Sequence, residues 1–227
     1  MLNTVNNQDH EEKTKTLRIN EIFFSIQGES SFAGKSCVFV RLTYCNLRCS
    51  FCDTEYAFFE GDYKSFDDII TEIKKYNCQL VEITGGEPLV QKNIIPFMTL
   101  LCDEGFEVLI ETGGHMDISG IDKRVKRIMD IKCPGSGESD KILWQNVNFI
   151  KSSDQIKFVI SGREDYDWAK HTIDKFMLIK KCPVLMSPNF NKLDNKTLAE
   201  WILTDRLNVR FQIQMHKYIW APDQRGV

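Results

Sequence analysis

No apolar run approaches the roughly 18 residues of a membrane-crossing helix, which excludes a helical membrane protein. The first 16 residues do not read as a secretory leader either. Met1–Thr16 is polar, carries Asp9, Glu11 and Glu12, and is expected to be a loosely ordered tail. No segment repeats and none is of low complexity. Lys and Arg (29) nearly balance Asp and Glu (32), and a net charge of −3 gives no electrostatic case for a nucleic-acid partner. The eight cysteines do not form a disulfide framework, because Cys78, Cys102, Cys133 and Cys182 fall singly in or beside helix and strand patterns. Free thiols of this kind point to a reducing, cytoplasmic setting. The remaining 17–227 suit one domain, and a chain of this size buries roughly 70–75% of its unfolded surface without staples.

From Leu17 onward short β-rich runs alternate with helical patterns. Strands are expected over Arg18–Phe24, Cys37–Thr43, Gln79–Thr84, Phe106–Glu111, Arg127–Lys132, Gln155–Ile160, Pro183–Met186 and Val209–Gln214. Helices are expected over Phe66–Tyr76, where Ile69, Ile70 and Ile73 share a face, and over Asn93–Asp103, Asp165–Ile179 and Asn195–Thr204. Such alternation predicts an α/β fold with a parallel sheet and right-handed crossovers. About six parallel strands with few helices are too few for a closed eightfold barrel, so an open, partial TIM-like barrel is expected. Ligands in such sheets sit at the carboxyl ends of the strands.

One of those ends carries the most informative run, Tyr44-Cys45-Asn46-Leu47-Arg48-Cys49-Ser50-Phe51-Cys52-Asp53-Thr54. Its C-x3-C-x2-C spacing offers three thiolates and no fourth. Structural zinc takes four closed ligands, and an electron-carrying iron–sulfur cluster takes four cysteines. Three thiolates on a cubane leave one iron open to a small molecule. A zinc site with a fourth ligand from elsewhere is the alternative. Cys37, the nearest candidate, opens the apolar run Cys37-Val38-Phe39-Val40 and reads better as a small buried hydrophobe.

A second run, Thr84-Gly85-Gly86-Glu87-Pro88, follows the next strand. Alone it could be a turn before a helix. Together the two runs resemble the signature of the radical S-adenosylmethionine (SAM) superfamily. The resemblance implies a 4Fe-4S cluster on Cys45, Cys49 and Cys52, with SAM chelating the open iron and yielding a 5′-deoxyadenosyl radical. Gly86 and Glu87 are implied at the methionine end of SAM. Phe51 and Asp53 on the cysteine loop, Glu111, Lys132 and Cys133 at later strand ends, and Ser187 near the adenine are implied as further contacts. Solvated strand-end charges are the plainer reading of Glu111 and Lys132.

Ser25-Ile26-Gln27-Gly28-Glu29, Phe39-Val40-Arg41-Leu42, Cys52-Asp53-Thr54, Gln214-Met215-His216-Lys217 and Ile219-Trp220-Ala221-Pro222-Asp223 narrow the resemblance further. From about Arg18 to the C-terminus they resemble the 7-carboxy-7-deazaguanine synthase family. That family converts 6-carboxy-5,6,7,8-tetrahydropterin to 7-carboxy-7-deazaguanine with loss of ammonia, using SAM catalytically, on the route to queuosine. The implied substrate contacts are Ile26, Gln27, Gly28, Glu29, Arg41, Thr84, His216 and Val227, with Arg41 suited to a carboxylate through its forked donors. A magnesium ion on Thr54, a flavodoxin- or ferredoxin-type electron donor and a homodimer are implied as well. Plainer readings are an edge-strand surface position for Arg41, a structural His216 and a loop-closing turn at Asp53–Thr54. Met215 departs from the family, which often has Thr before this His. A glycyl-radical enzyme activase and a non-catalytic iron–sulfur electron-transfer module are the competing functions.

Overall fold

The computed structural model describes residues 15–227. The expected N-terminal tail lies outside the described residues except for its last two, and Thr16 already opens the first strand. Nine strands form one sheet: β1 (Thr16–Ile26), β2 (Ser36–Leu42), β3 (Asp62–Ser65), β4 (Leu80–Gly85), β5 (Glu107–Thr112), β6 (Lys126–Asp130), β7 (Gln155–Ile160), β8 (Val184–Pro188) and β9 (Arg210–Phe211). Their order is β3-β1-β2-β4-β5-β6-β7-β8-β9. β1 pairs antiparallel with β2 and with β3, while every pairing from β2 to β9 is parallel. This is the open, partial barrel expected from the β/α alternation.

Among the described residues five α-helices accompany the sheet: α1 (Phe66–Lys74), α2 (Ile94–Asp103), α3 (Arg163–Phe176), α4 (Asn195–Thr204) and the single-turn α5 (His216–Ile219). α1 is written locally. The Ser65 hydroxyl accepts from Asp68 N, Asp67 and Asp68 occupy the positive first turn, and Phe66, Ile69, Ile70 and Ile73 are buried. None of the helices is long and apolar enough to cross a membrane. α3 stops three residues before the expected Ile179, because Met177 turns left-handed (φ 50°). The last strand shrinks from the expected Val209–Gln214 to two residues, since only Leu185 and Met186 of β8 pair with it.

Period-two alternation sorts the strand residues. Val38, Val40, Val81, Ile83, Val108, Ile110, Ile156 and Phe158 point into the main core with the helices. The other set begins at one end as an apolar plug of Phe23, Cys37, Phe39, Leu80, Leu109 and Ile128, with Phe23 and Phe39 stacked at 4.9 Å. Cys37 is thus the buried hydrophobe expected of it. Two residues further along each strand, the same face turns polar with Arg41, Glu82, Glu111, Asp130 and Lys157, and there a cavity opens.

Candidate active site

The cysteine loop is built by close backbone approach. Tyr44 takes a left-handed conformation (φ 84°), and its carbonyl accepts from Glu87 N at 2.9 Å. A β-carbon on Gly86 would strike that same carbonyl, so the glycine of the second motif lets the β4 end pack on the start of the cysteine loop. On its far side the loop is tied to the 133–140 segment. Arg48 N donates to Glu138 Oε1 (2.6 Å), Ser50 N to the Ser136 carbonyl (3.0 Å), and Ser50 Oγ to the Gly135 carbonyl (2.8 Å).

Cys45, Cys49 and Cys52 are all free thiols on one wall of a cavity of about 580 Å³, within the ordinary range for small-molecule sites. Burial pushes all three thiols up, Cys49 to about 11, while the nearby Lys132 ammonium favours their thiolates. Among the described residues no three His, Cys, Asp or Glu side chains converge on a single ion. Three thiols and no fourth ligand fall short of a closed zinc site, and their chemistry suits a cluster that takes one thiolate per iron.

A charge network also lines the cavity floor. Lys157 Nζ lies 2.8 Å from Glu29 Oε2, 3.7 Å from Glu111 Oε1 and 3.9 Å from Asp130 Oδ2. Lys132 Nζ lies 2.8 Å from the same Asp130 oxygen. Burial would raise Glu29, but Lys157 outweighs it and holds the carboxyl below its ordinary range. Burial pushes Glu82 well up, with Glu111 and Glu29 adding to the shift, and pushes Glu111 up as well. Lys157 loses hydration but is held charged by its acidic ring.

The substrate-side residues come from distant segments. Arg41 sits on β2, an interior strand rather than an edge, with Nε 2.7 Å from Glu21 Oε1. Both ends of the Gln27 amide are engaged within the protein: Oε1 accepts from Glu29 N at 2.6 Å, and Nε2 donates to Glu82. A β-carbon on Gly28 would overlap the His216 ring, so that glycine admits the imidazole, whose basicity burial lowers. Thr54 Oγ1 donates to Asp53 Oδ1 (2.9 Å), and Asp53 Oδ2 accepts from Lys217 Nζ (2.7 Å) and Gln214 Nε2 (3.3 Å). Burial alone would raise the Asp53 carboxyl, but the Lys217 ammonium holds it well below the usual range.

Of the expected site residues, the cavity wall includes Cys45, Cys49, Phe51, Cys52, Asp53, Thr54, Gly86, Glu87, Glu111 and Lys132. It also includes Ile26, Gln27, Gly28, Glu29, Arg41, Thr84, His216 and Val227. Cys133 and Ser187 are not brought to it. Cys133 lies past the end of β6 and is buried in the main core, 1% exposed. Ser187 is buried on β8 beyond Val159, and the wall there is made by Asn189, Phe190, Asn191 and Lys192. Glu87 lines the cavity and also braces its rim. Its carboxylate accepts from Leu89 N (3.1 Å), Thr112 Oγ1 (2.9 Å) and Gly113 N (2.8 Å), bracing the β4 and β5 ends together rather than standing free.

Lys157, Glu82, Tyr56 and Lys217 carry no role that the sequence predicts, yet all four line the cavity. The signal was present for two of them: Glu82 and Lys157 interrupt strands whose neighbours are apolar, where a charge is costly unless it faces a site.

A family model described as the Radical SAM superfamily matches residues 40–177. The 7-carboxy-7-deazaguanine synthase of Koribacter versatilis is 44% identical over 226 residues, covering 93% of this chain and 100% of its own. That of Chlorobaculum tepidum is 44% identical, covering 93% of this chain and 97% of its own. The crystal structure of QueE from Escherichia coli superposes with a TM-score of 0.75 at 21% identity, covering 93% of this chain and 99% of that one, which supports the fold.

Proposed function

The chain belongs to the 7-carboxy-7-deazaguanine synthase family of the radical SAM superfamily, and from that premise we propose how its residues divide the work. It is a radical SAM lyase of the queuosine route. The reaction we assign takes 6-carboxy-5,6,7,8-tetrahydropterin to 7-carboxy-7-deazaguanine, contracting the ring with loss of one ammonia. Cys45, Cys49 and Cys52 hold the 4Fe-4S cluster. Bound there, cluster and SAM supply the radical chemistry that removes one hydrogen from the substrate and returns it.

The single observation that carries this reading is the shared cavity: three thiols on one wall, and Arg41, Thr84 and His216 on the others. Arg41 presents a fork of donors to the substrate carboxylate. Thr84 and the half-buried His216, whose basicity burial lowers, meet the pterin edge. Because the Gln27 amide is spent on Glu29 N and Glu82, that segment recognises the pterin through its backbone rather than through the amide. Glu111, Lys132 and Phe51 line the same cavity as the thiols and are the side chains we assign to SAM, and Gly86 offers backbone at its methionine end.

Thr54 is the protein ligand we assign to magnesium, an ion that keeps several waters and takes few protein groups. Thr54 lines the cavity and its hydroxyl oxygen is open to a cation, since its only hydrogen bond among the described residues is one it donates to Asp53. A flavodoxin- or ferredoxin-type donor, a homodimer and a cytoplasmic setting complete the reading.

The test is the electron paramagnetic resonance signal of the reduced, reconstituted protein with and without SAM. A shifted signal, lost in Cys49→Ala, is the expected result. A signal indifferent to SAM would contradict an open iron in this cavity.

A further inference from the structure

Arg41 has a partner behind it. Its Nε lies 2.7 Å from Glu21 Oε1, and the Tyr56 hydroxyl donates to the same oxygen at 2.8 Å. The guanidinium is flanked by the Phe23 and Tyr56 rings, at 5.6 and 5.8 Å from their centroids. Among the described residues no protein acceptor meets its terminal nitrogens, and Arg41 lines the cavity while Glu21 does not. One edge of the fork is therefore clamped, and the other faces the cavity. Burial, joined by the hydrogen bond to Glu21 and opposed by the Arg41 charge, pushes the Tyr56 phenol up to about 12, so its hydroxyl remains a donor. Arg225 braces the ring from the chain's end, 3.8 Å from its centroid and 2.9 Å from Glu60 Oε2.

We propose that Glu21, backed by Tyr56, is a positioning residue that fixes the Arg41 guanidinium so that its free edge selects pterins bearing a carboxylate. This rests on the reading that Arg41 meets the substrate carboxylate. Physically, an arginine on a flexible stem must lose rotamer freedom when it binds a carboxylate. A carboxylate fixed on Nε removes that cost in advance and sets the plane of the fork. Glu21 comes from β1 and Arg41 from β2, and the antiparallel register aligns the two directly. The arrangement is therefore built into the sheet.

The experiment compares KM and kcat of the reconstituted holoenzyme and its Glu21→Ala, Glu21→Gln, Tyr56→Phe and Arg41→Ala variants. Alongside, it measures competitive inhibition by 6-carboxypterin and by the same pterin without the carboxylate. Glu21→Ala is expected to raise KM roughly tenfold or more while kcat falls less than about threefold, and to shrink the preference for the carboxylated inhibitor by a similar factor. Glu21→Gln, which keeps an acceptor for Nε, recovers part of both, and Tyr56→Phe has a smaller effect of the same kind. A Glu21→Ala or Glu21→Gln enzyme with unchanged KM and unchanged inhibitor preference, beside an Arg41→Ala enzyme that loses both, would overturn the positioning role alone. An Arg41→Ala enzyme that keeps both would remove the parent reading and this inference with it.

Discussion

The ring of His216 occupies the space above Gly28 that a β-carbon would fill, and Met215 N donates to the Gly28 carbonyl at 3.0 Å. Two segments almost a whole chain apart thus close one side of the cavity by direct contact. The glycine in the Gln27-Gly28-Glu29 run is required by a side chain from the C-terminal segment.

Gly28→Ala is therefore expected to displace His216. Overpacking of this kind costs about 1–3 kcal/mol of stability, and turnover should fall at least tenfold while the fold and iron content persist. Circular dichroism, iron analysis and steady-state rates check it. A fully active Gly28→Ala enzyme would show that the His216 ring position is immaterial.

Gly86→Ala strikes the Tyr44 carbonyl and so moves the first turn of the cysteine loop. Reconstituted iron and sulfide per chain should drop sharply, with little change in the far-ultraviolet spectrum. Normal iron loading would show that the loop does not depend on this backbone contact.

Lys157 is the only cation within reach of Glu29 among the described ion pairs, and it also faces Glu111 and Asp130. Removing one partner from a buried ionic group costs about 3–5 kcal/mol. Lys157→Met should lose that much, and more at high pH than at low, because only ionised carboxylates suffer the uncompensated repulsion. Denaturant titrations at two pH values read it directly.

His115 anchors the cysteine loop through Nε2 to Asn46 Oδ1 at 2.6 Å. Burial, aided by Lys132, pushes its imidazole down to about 4. Between the unfolded value of about 6.5 and about 4, the unfolded chain holds a proton that the native protein refuses. This group's contribution is therefore present above that window and lost as pH falls through it. His115→Gln should show a smaller drop in denaturation midpoint over that window than the parent. Equal drops would contradict the assignment.

What could be read in the sequence was local. The thiol spacing and the Thr84–Pro88 run sit in continuous segments, and the strands that carry them announce themselves by apolar residues. β3 was invisible, because Asp62-Tyr63-Lys64-Ser65 has no apolar alternation and is a strand only through pairing with Thr16–Ile19. Lys157 was passed over because a lysine in a strand usually faces water, and nothing nearby in sequence reveals Glu29, Glu111 and Asp130 around it. Ser187 lies near the end of β8 beside Val159, yet only Val159 of that pair lines the cavity, a difference that nothing local in the sequence marks. The engaged amide of Gln27 is likewise tertiary, since Glu82 arrives from another strand.

The most direct test of the account is anaerobic turnover of the reconstituted protein with reductant, SAM, magnesium and 6-carboxytetrahydropterin, followed by mass spectrometry, with Thr54→Ala in parallel. The account predicts carboxy-deazaguanine with little net loss of SAM, stimulation by magnesium, and loss of that stimulation in the variant. Slow release of 5′-deoxyadenosine with no deazapurine would contradict the assigned substrate while leaving the radical chemistry in place.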